Sequence, residues 1–117
     1  MNSNTELESS LPLTEVTYFI LLSLAPGPKH GYGIMKDVRY MSRERVVLST
    51  GTLYGALPRL LDQGWIIRTP APAAVRPGRQ RKLYELTPLG QQVLDAEVKR
   101  LDSLVAAAQQ RLIGENS

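Results

Sequence analysis

The chain has 117 residues, of which 43% are hydrophobic and 21% charged, so it can bury one core of ordinary size. It has no cysteine and one histidine, which excludes a disulfide scaffold, a thiol nucleophile and a cysteine-ligated metal, and leaves little for acid–base catalysis. The net charge of +3 hides a block pattern: −3 over residues 1–28, +8 over residues 29–82 and −2 over residues 83–117.

In chain order, residues 1–11 read as a mobile polar tail. The stretch lacks the basic start of a signal peptide, and the longest apolar run, Val16 to Ala25, is too short to cross a bilayer. The expectation is an intracellular, cytoplasmic protein. A helix is predicted from Leu13 to Leu24, with Thr14 as N-cap, Glu15 in its first turn and a nearly all-apolar centre. Pro26-Gly27-Pro28 ends it. A second helix, Gly31 to Met41, carries Ile34, Met35, Val38 and Met41 as an apolar stripe. Val46-Val47-Leu48 is β-branched enough for one short strand.

Ser49 is the N-cap of a third predicted helix, Thr50 to Gln63, stopped by Gly64. Leu53, Leu57, Leu60 and Leu61 mark its buried face. Thr52, Gly55, Ala56 and Arg59 fall opposite. Pro58 predicts a kink or local loosening. Trp65 to Thr69 and Lys82 to Leu86 read as strands joined by a basic, Pro/Gly-bearing loop. Thr87 and Pro88 open a last helix reaching about Ile113. Leu94, Val98, Leu101, Val105, Ala108 and Leu112 step along it by four and three, a heptad seam that points to a second copy of the chain.

The fold class expected is mainly α with a small β-hairpin: a winged helix-turn-helix over residues 12–87 and a dimerisation helix over residues 88–114. In that layout the third helix is the candidate reader of a DNA major groove. Thr50, Gly51, Thr52, Gly55 and Ala56 are small enough to let its backbone approach. Tyr54 and Arg59 are candidate phosphate or base contacts; packing between helices accounts for Tyr54 equally well. Arg76, Arg79, Arg81 and Lys82 put four cations within seven residues, suited to phosphates or the minor groove, or else to a solvated loop or basic localisation tract. Lys29 and the backbone at the start of the second helix form a candidate phosphate site. His30 has no partners for a metal, and no cofactor or catalytic residue is expected. A protein-binding winged helix is the alternative to a DNA-binding one.

The sequence resembles the PadR family of bacterial transcriptional regulators. The matching stretches are Leu13-Thr14 through Tyr18-Phe19-Ile20-Leu21, His30-Gly31-Tyr32-Gly33-Ile34, Leu48 through Leu57, Arg59-Leu60-Leu61 to Gly64-Trp65-Ile66, Arg79 through Thr87, and Gly90. The resemblance implies a C-terminal helix that dimerises and binding to double-stranded DNA at a palindromic promoter site, usually in repression. It implies that Tyr18, His30 to Tyr32, Ser49 to Tyr54 and the wing contact DNA. Release by a small hydrophobic or aromatic effector is a family habit; Ala106-Ala107-Ala108 is the candidate pocket wall, and close helix packing explains that run as well. Pro58 departs from the family's good helix former. The single C-terminal helix looks like the short subfamily.

Overall fold

A computed structural model describes residues 7, 9–70 and 82–113. Among the described residues six elements follow in order: α1 (Glu15–Leu24), α2 (Gly31–Met41), α3 (Thr50–Asp62), β1 (Ile66–Pro70), β2 (Lys82–Leu86) and α4 (Pro88–Leu112). This is the expected winged-helix class with a long C-terminal helix.

Three of the four helices start on the hydroxyl cap that the sequence offers. Thr14, Ser49 and Thr87 each accept a hydrogen bond from the amide three residues on. α1 therefore begins two residues later than expected. α3 ends in a Schellman motif: Gly64 takes φ +75°, its amide donates to the Leu61 carbonyl, and the Trp65 amide donates to that of Leu60.

α3 stays helical through Pro58, where a kink or local loosening was expected. Proline inside a helix costs about 3 kcal/mol. Against it stand three fully buried leucines, Leu53, Leu57 and Leu60, each contributing about 1.5–3 kcal/mol. Pro58 itself is exposed, and the carbonyl that loses its partner belongs to half-exposed Tyr54, where water can replace the bond. Ala56 corrects the helical-wheel reading: it is 2% exposed, in the core rather than on the outer face. Leu61 is only half-buried.

Val46 to Leu48 form no strand, a second correction. The Ser42 hydroxyl takes the Val46 amide (2.9 Å) and lies 3.2 Å from its carbonyl. With its backbone thus satisfied, Val46 makes no ladder. The third edge of the wing is instead Lys29, which exchanges two backbone hydrogen bonds with Tyr84 in β2. β1 and β2 pair antiparallel, Ile66 opposite Leu86 and Pro70 opposite Lys82. The lysine bridge ties that hairpin to the start of α2.

The core comes from all these elements: Ile20, Leu21 and Leu24 of α1, Ile34 and Val38 of α2, the α3 leucines, Trp65, Ile66, Tyr84, and Val93 and Leu94 of α4. Leu7 and Leu11 also pack on it, so those residues are not the free tail expected of residues 1–11. Leu94, a seam residue by its spacing, is 3% exposed in this chain's own core, and the part of the seam open to a partner starts at Val98.

Glu97 is the one buried acid among the described residues, 2% exposed. Arg100 grips it with two hydrogen bonds, at 2.7 and 3.0 Å, and the Leu13 amide donates a third at 3.2 Å. The pair joins α4 to the entry of α1. The Arg100 hydrogen bonds hold the Glu97 carboxyl below its ordinary range; burial opposes them and the Leu13 amide assists. Because the folded value is the lowered one, this stabilisation is present above the unfolded value of about 4.3 and is lost as pH falls through the folded value. Glu97→Gln should therefore destabilise the chain by about 1–3 kcal/mol at pH 7. The gap between thermal melts of the two proteins should narrow as pH falls from the unfolded value through the lowered folded one; a constant gap would refute the carboxylate's role.

Candidate nucleic-acid interface

α3 presents an exposed strip of Ser49, Thr50, Gly51, Thr52, Tyr54, Gly55 and Arg59. Ser49 and Thr52 are already engaged with each other: the Ser49 hydroxyl accepts the Thr52 amide (3.0 Å) and donates to its hydroxyl (2.9 Å). Capping thus positions two of the small polar groups at the helix start. Gly51 and Gly55 keep the strip low; a Cβ at Gly55 would meet nothing within 4 Å.

Beside this strip lies an open cleft of about 630 Å³ lined by His30, Gly31, Tyr32, Tyr54, Arg68, Lys82 and Tyr84. Three elements meet there: the start of α2, the first turns of α3 and one face of the hairpin. Tyr54 is 48% exposed and its hydroxyl lies over Gly31, in the space a Cβ there would fill. Packing and outward display therefore coexist in this tyrosine. His30 is the N-cap of α2 but makes no capping hydrogen bond; its Nδ1 lies 3.4 Å from the Lys82 carbonyl. No side chain caps this helix start, so the first amides remain suited to an anion. Burial pushes the Tyr84 phenol up, neighbouring Tyr54 adds to this, and Arg68 opposes it. The phenol thus stays a neutral donor at pH 7.

The cleft unites four residues singled out from sequence: His30, Tyr32, Tyr54 and Lys82. It leaves out Tyr18, whose half-buried ring meets Phe19 edge-on at 5.4 Å on α1. Lys29 stands near the cleft, but its ammonium is 3.8 Å from Asp37, which reduces the charge it offers. Arg76, Arg79 and Arg81 lie outside the described residues. Sequence reasoning missed Arg68 and Tyr84. The register sets them opposite each other, with Lys82 two residues from Tyr84 and hence on its face. Applying period-two alternation to the two strands together would have found them.

On α4, Val98, Val105 and Leu112 of the seam are exposed, as are Leu104 and, just past the helix end, Ile113, which the seam did not include. Among the described residues no helix is long and apolar enough to cross a membrane.

Known proteins share this fold. A crystal structure of a PadR family transcription regulator from hypervirulent Clostridium difficile R20291 matches with a TM-score of 0.69 and 25% identity, over 85% of this chain and 99% of that one. Bacillus subtilis PadR, solved in complex with operator DNA, matches with a TM-score of 0.64 and 25% identity, over 75% of this chain and 48% of that one. An uncharacterized 37.1 kDa protein in a transposon of Streptomyces fradiae is 39% identical over 89 residues; the match takes in 73% of this chain but spans only 22% of the relative's length. Residues 20–96 match the transcriptional regulator PadR-like family. With the winged-helix fold in place and about two-thirds of the sequence matching, the chain belongs to that family of transcriptional regulators.

Proposed function

We propose that the chain is a homodimeric, sequence-specific DNA-binding regulator that represses transcription from a palindromic promoter site in the cytoplasm. The observation that carries the reading is the union of an open, small-residue face on α3 with a cleft in which an uncapped helix start, Arg68 and Lys82 converge. Bacillus subtilis PadR, of similar fold, was captured on operator DNA. In this reading Thr50, Gly51, Thr52 and Gly55 approach the major groove, while Arg59 and Tyr54 meet base edges or phosphates. His30, Tyr32, Arg68 and Lys82 hold a backbone phosphate, with Lys29 nearby. Arg76, Arg79 and Arg81 reach further phosphates or the adjacent minor groove. Tyr18 acts from behind, by packing α1.

The second copy is supported by α4. Val98, Leu101, Val105, Ala108 and Leu112 continue a heptad seam beyond the chain's own core, and a contiguous exposed apolar stripe of this kind is normally covered. Two copies would present two recognition helices related by a two-fold axis, which matches a palindrome. A small hydrophobic or aromatic effector would find its wall at Ala106 to Ala108, near that axis.

The test is selection of bound fragments from genomic DNA with purified protein, joined to light scattering at micromolar concentration. A dimer and a two-fold site, with affinity falling steeply as salt rises, are the expected results. Equal binding to selected and random DNA at moderate salt would refute sequence specificity, and a monomer would refute the homodimer.

A further inference from the structure

The outer face of α2 holds a second basic and aromatic patch that shares only Tyr32 with the recognition surface. Tyr32 and Tyr40 are 65% and 82% exposed, unusual for side chains of this size. With Lys36, Arg39, Arg43 and Glu44 they line a shallow cleft of about 560 Å³. The Lys36 ammonium sits 5.6 Å from the centre of the Tyr32 ring. Arg43 and Glu44 follow in the left-handed region, at φ 54° and 65°, which bulky side chains seldom adopt. The turn they make, closed by the Glu44 amide on the Arg39 carbonyl at 2.8 Å, brings both side chains to the rim of this cleft.

The charges decide the occupant. Glu44 pairs with Arg39 at 3.3 Å. The ion pairs among the described residues leave Lys36 and Arg43 out, so two cations face outward for an anionic partner. Tyr32 lines this cleft and the cleft at the start of α2 alike, so the two form one continuous surface. The first helix of a helix-turn-helix crosses the DNA backbone. From Tyr32 to Arg43 the strip is about 16 Å long, close to the rise of five base pairs.

We propose that this strip grips the DNA backbone flanking each half-site, with Lys36 and Arg43 on phosphates and the Tyr32 and Tyr40 hydroxyls donating to phosphate oxygens. The proposal rests on the DNA-binding reading above. It makes affinity depend on DNA outside the sequence-specific site, whatever the flanking sequence.

The experiment compares the full chain and the double variant Lys36→Ala/Arg43→Ala on two duplexes. One is trimmed to the selected site; the other extends it by about five base pairs at each end. The wild type should bind the extended duplex about tenfold more tightly than the trimmed one. The double variant should match the wild type on the trimmed duplex and lose that gain. Its salt slope on the extended duplex should flatten by about 1.8 per protomer, the value for two phosphate contacts. Both side chains are exposed, so a melting temperature near that of the wild type verifies folding. A wild type indifferent to the extension, or a double variant that keeps the gain and the slope, would overturn the proposal and leave the strip to an acidic protein segment. A wild type with no preferred site on either duplex would instead overturn the DNA-binding reading itself.

Discussion

Gly55→Glu should leave the chain folded, slightly more stable, and unable to bind its operator. Gly55 is exposed in the middle of α3, and a Cβ there meets nothing within 4 Å. A mid-helix glycine costs about 0.5–1 kcal/mol relative to a good helix former, so the melting temperature should rise by a few degrees. On DNA the same substitution sets a carboxylate against a polyanion. Like-charge juxtaposition at an interface costs several kcal/mol, which corresponds to a loss of roughly 100-fold or more in affinity. Gly55→Ala separates the two effects, since it adds the helix preference and a small bulk but no charge. Titration of both variants on the selected operator, beside thermal melts, checks the expectation. Wild-type affinity in Gly55→Glu would mean that this face of α3 does not enter the groove.

Gly90→Ala should act in the opposite way, on the fold before the function. A Cβ at Gly90 would collide with the Trp65 carbonyl oxygen, and would lie 2.9 Å from both that carbonyl carbon and Leu86 Cδ1. The obstacle is backbone, and it is fixed on three sides. The Trp65 carbonyl accepts the Thr87 amide (3.0 Å), the Thr87 hydroxyl donates to the Gly64 carbonyl (2.6 Å), and the Gly90 amide donates back to that hydroxyl (2.9 Å). Overpacking of a tight contact costs about 1–3 kcal/mol, and more where nothing can yield. The expected loss is therefore about 3 kcal/mol or more, large against the total stability of a small domain. This junction also sets the direction in which α4 leaves the wing. A variant that survives should dimerise and bind DNA less well than its residual stability predicts. Denaturant unfolding of Gly90→Ala beside the wild type gives the first number; a change below about 1 kcal/mol would show that α4 can shift on the wing at little cost.

The two glycines differ for a reason that sequence could not supply. Both sit in helices, and spacing alone treats them alike. A Cβ at Gly55 would stand in open space while one at Gly90 would strike the chain's own backbone, and only the positions of Trp65 and Leu86 distinguish them. The same limit explains Ala56. A helical wheel places it opposite the leucines, but α3 is enclosed widely enough that the core reaches round to it. Arg68 was passed over because one strand was read without its partner.

Local signals were legible wherever a residue acts on its own neighbours. Thr14, Ser49 and Thr87 cap three helices through an amide three residues away, and Gly64 stops α3 by adopting a positive φ. The helix order, the hairpin strands and the leucine face of α3 follow from capping, period and turn chemistry. These sufficed for the winged-helix class; the family resemblance rests on the matching stretches, His30 to Ile34 and Leu48 to Leu57 among them. Only the tertiary structure decided that Lys29 rather than Val46 to Leu48 completes the wing edge, that Leu94 belongs to the chain's own core, and that Glu97 is a buried acid held by Arg100 and Leu13. Each of those outcomes depends on atoms far apart in sequence. The Glu97 to Leu13 hydrogen bond spans 84 positions and the Lys29 to Tyr84 pair 55. A backbone amide or a carboxylate takes whichever partner burial brings to it, and that choice is made by packing rather than by the identity of its neighbours.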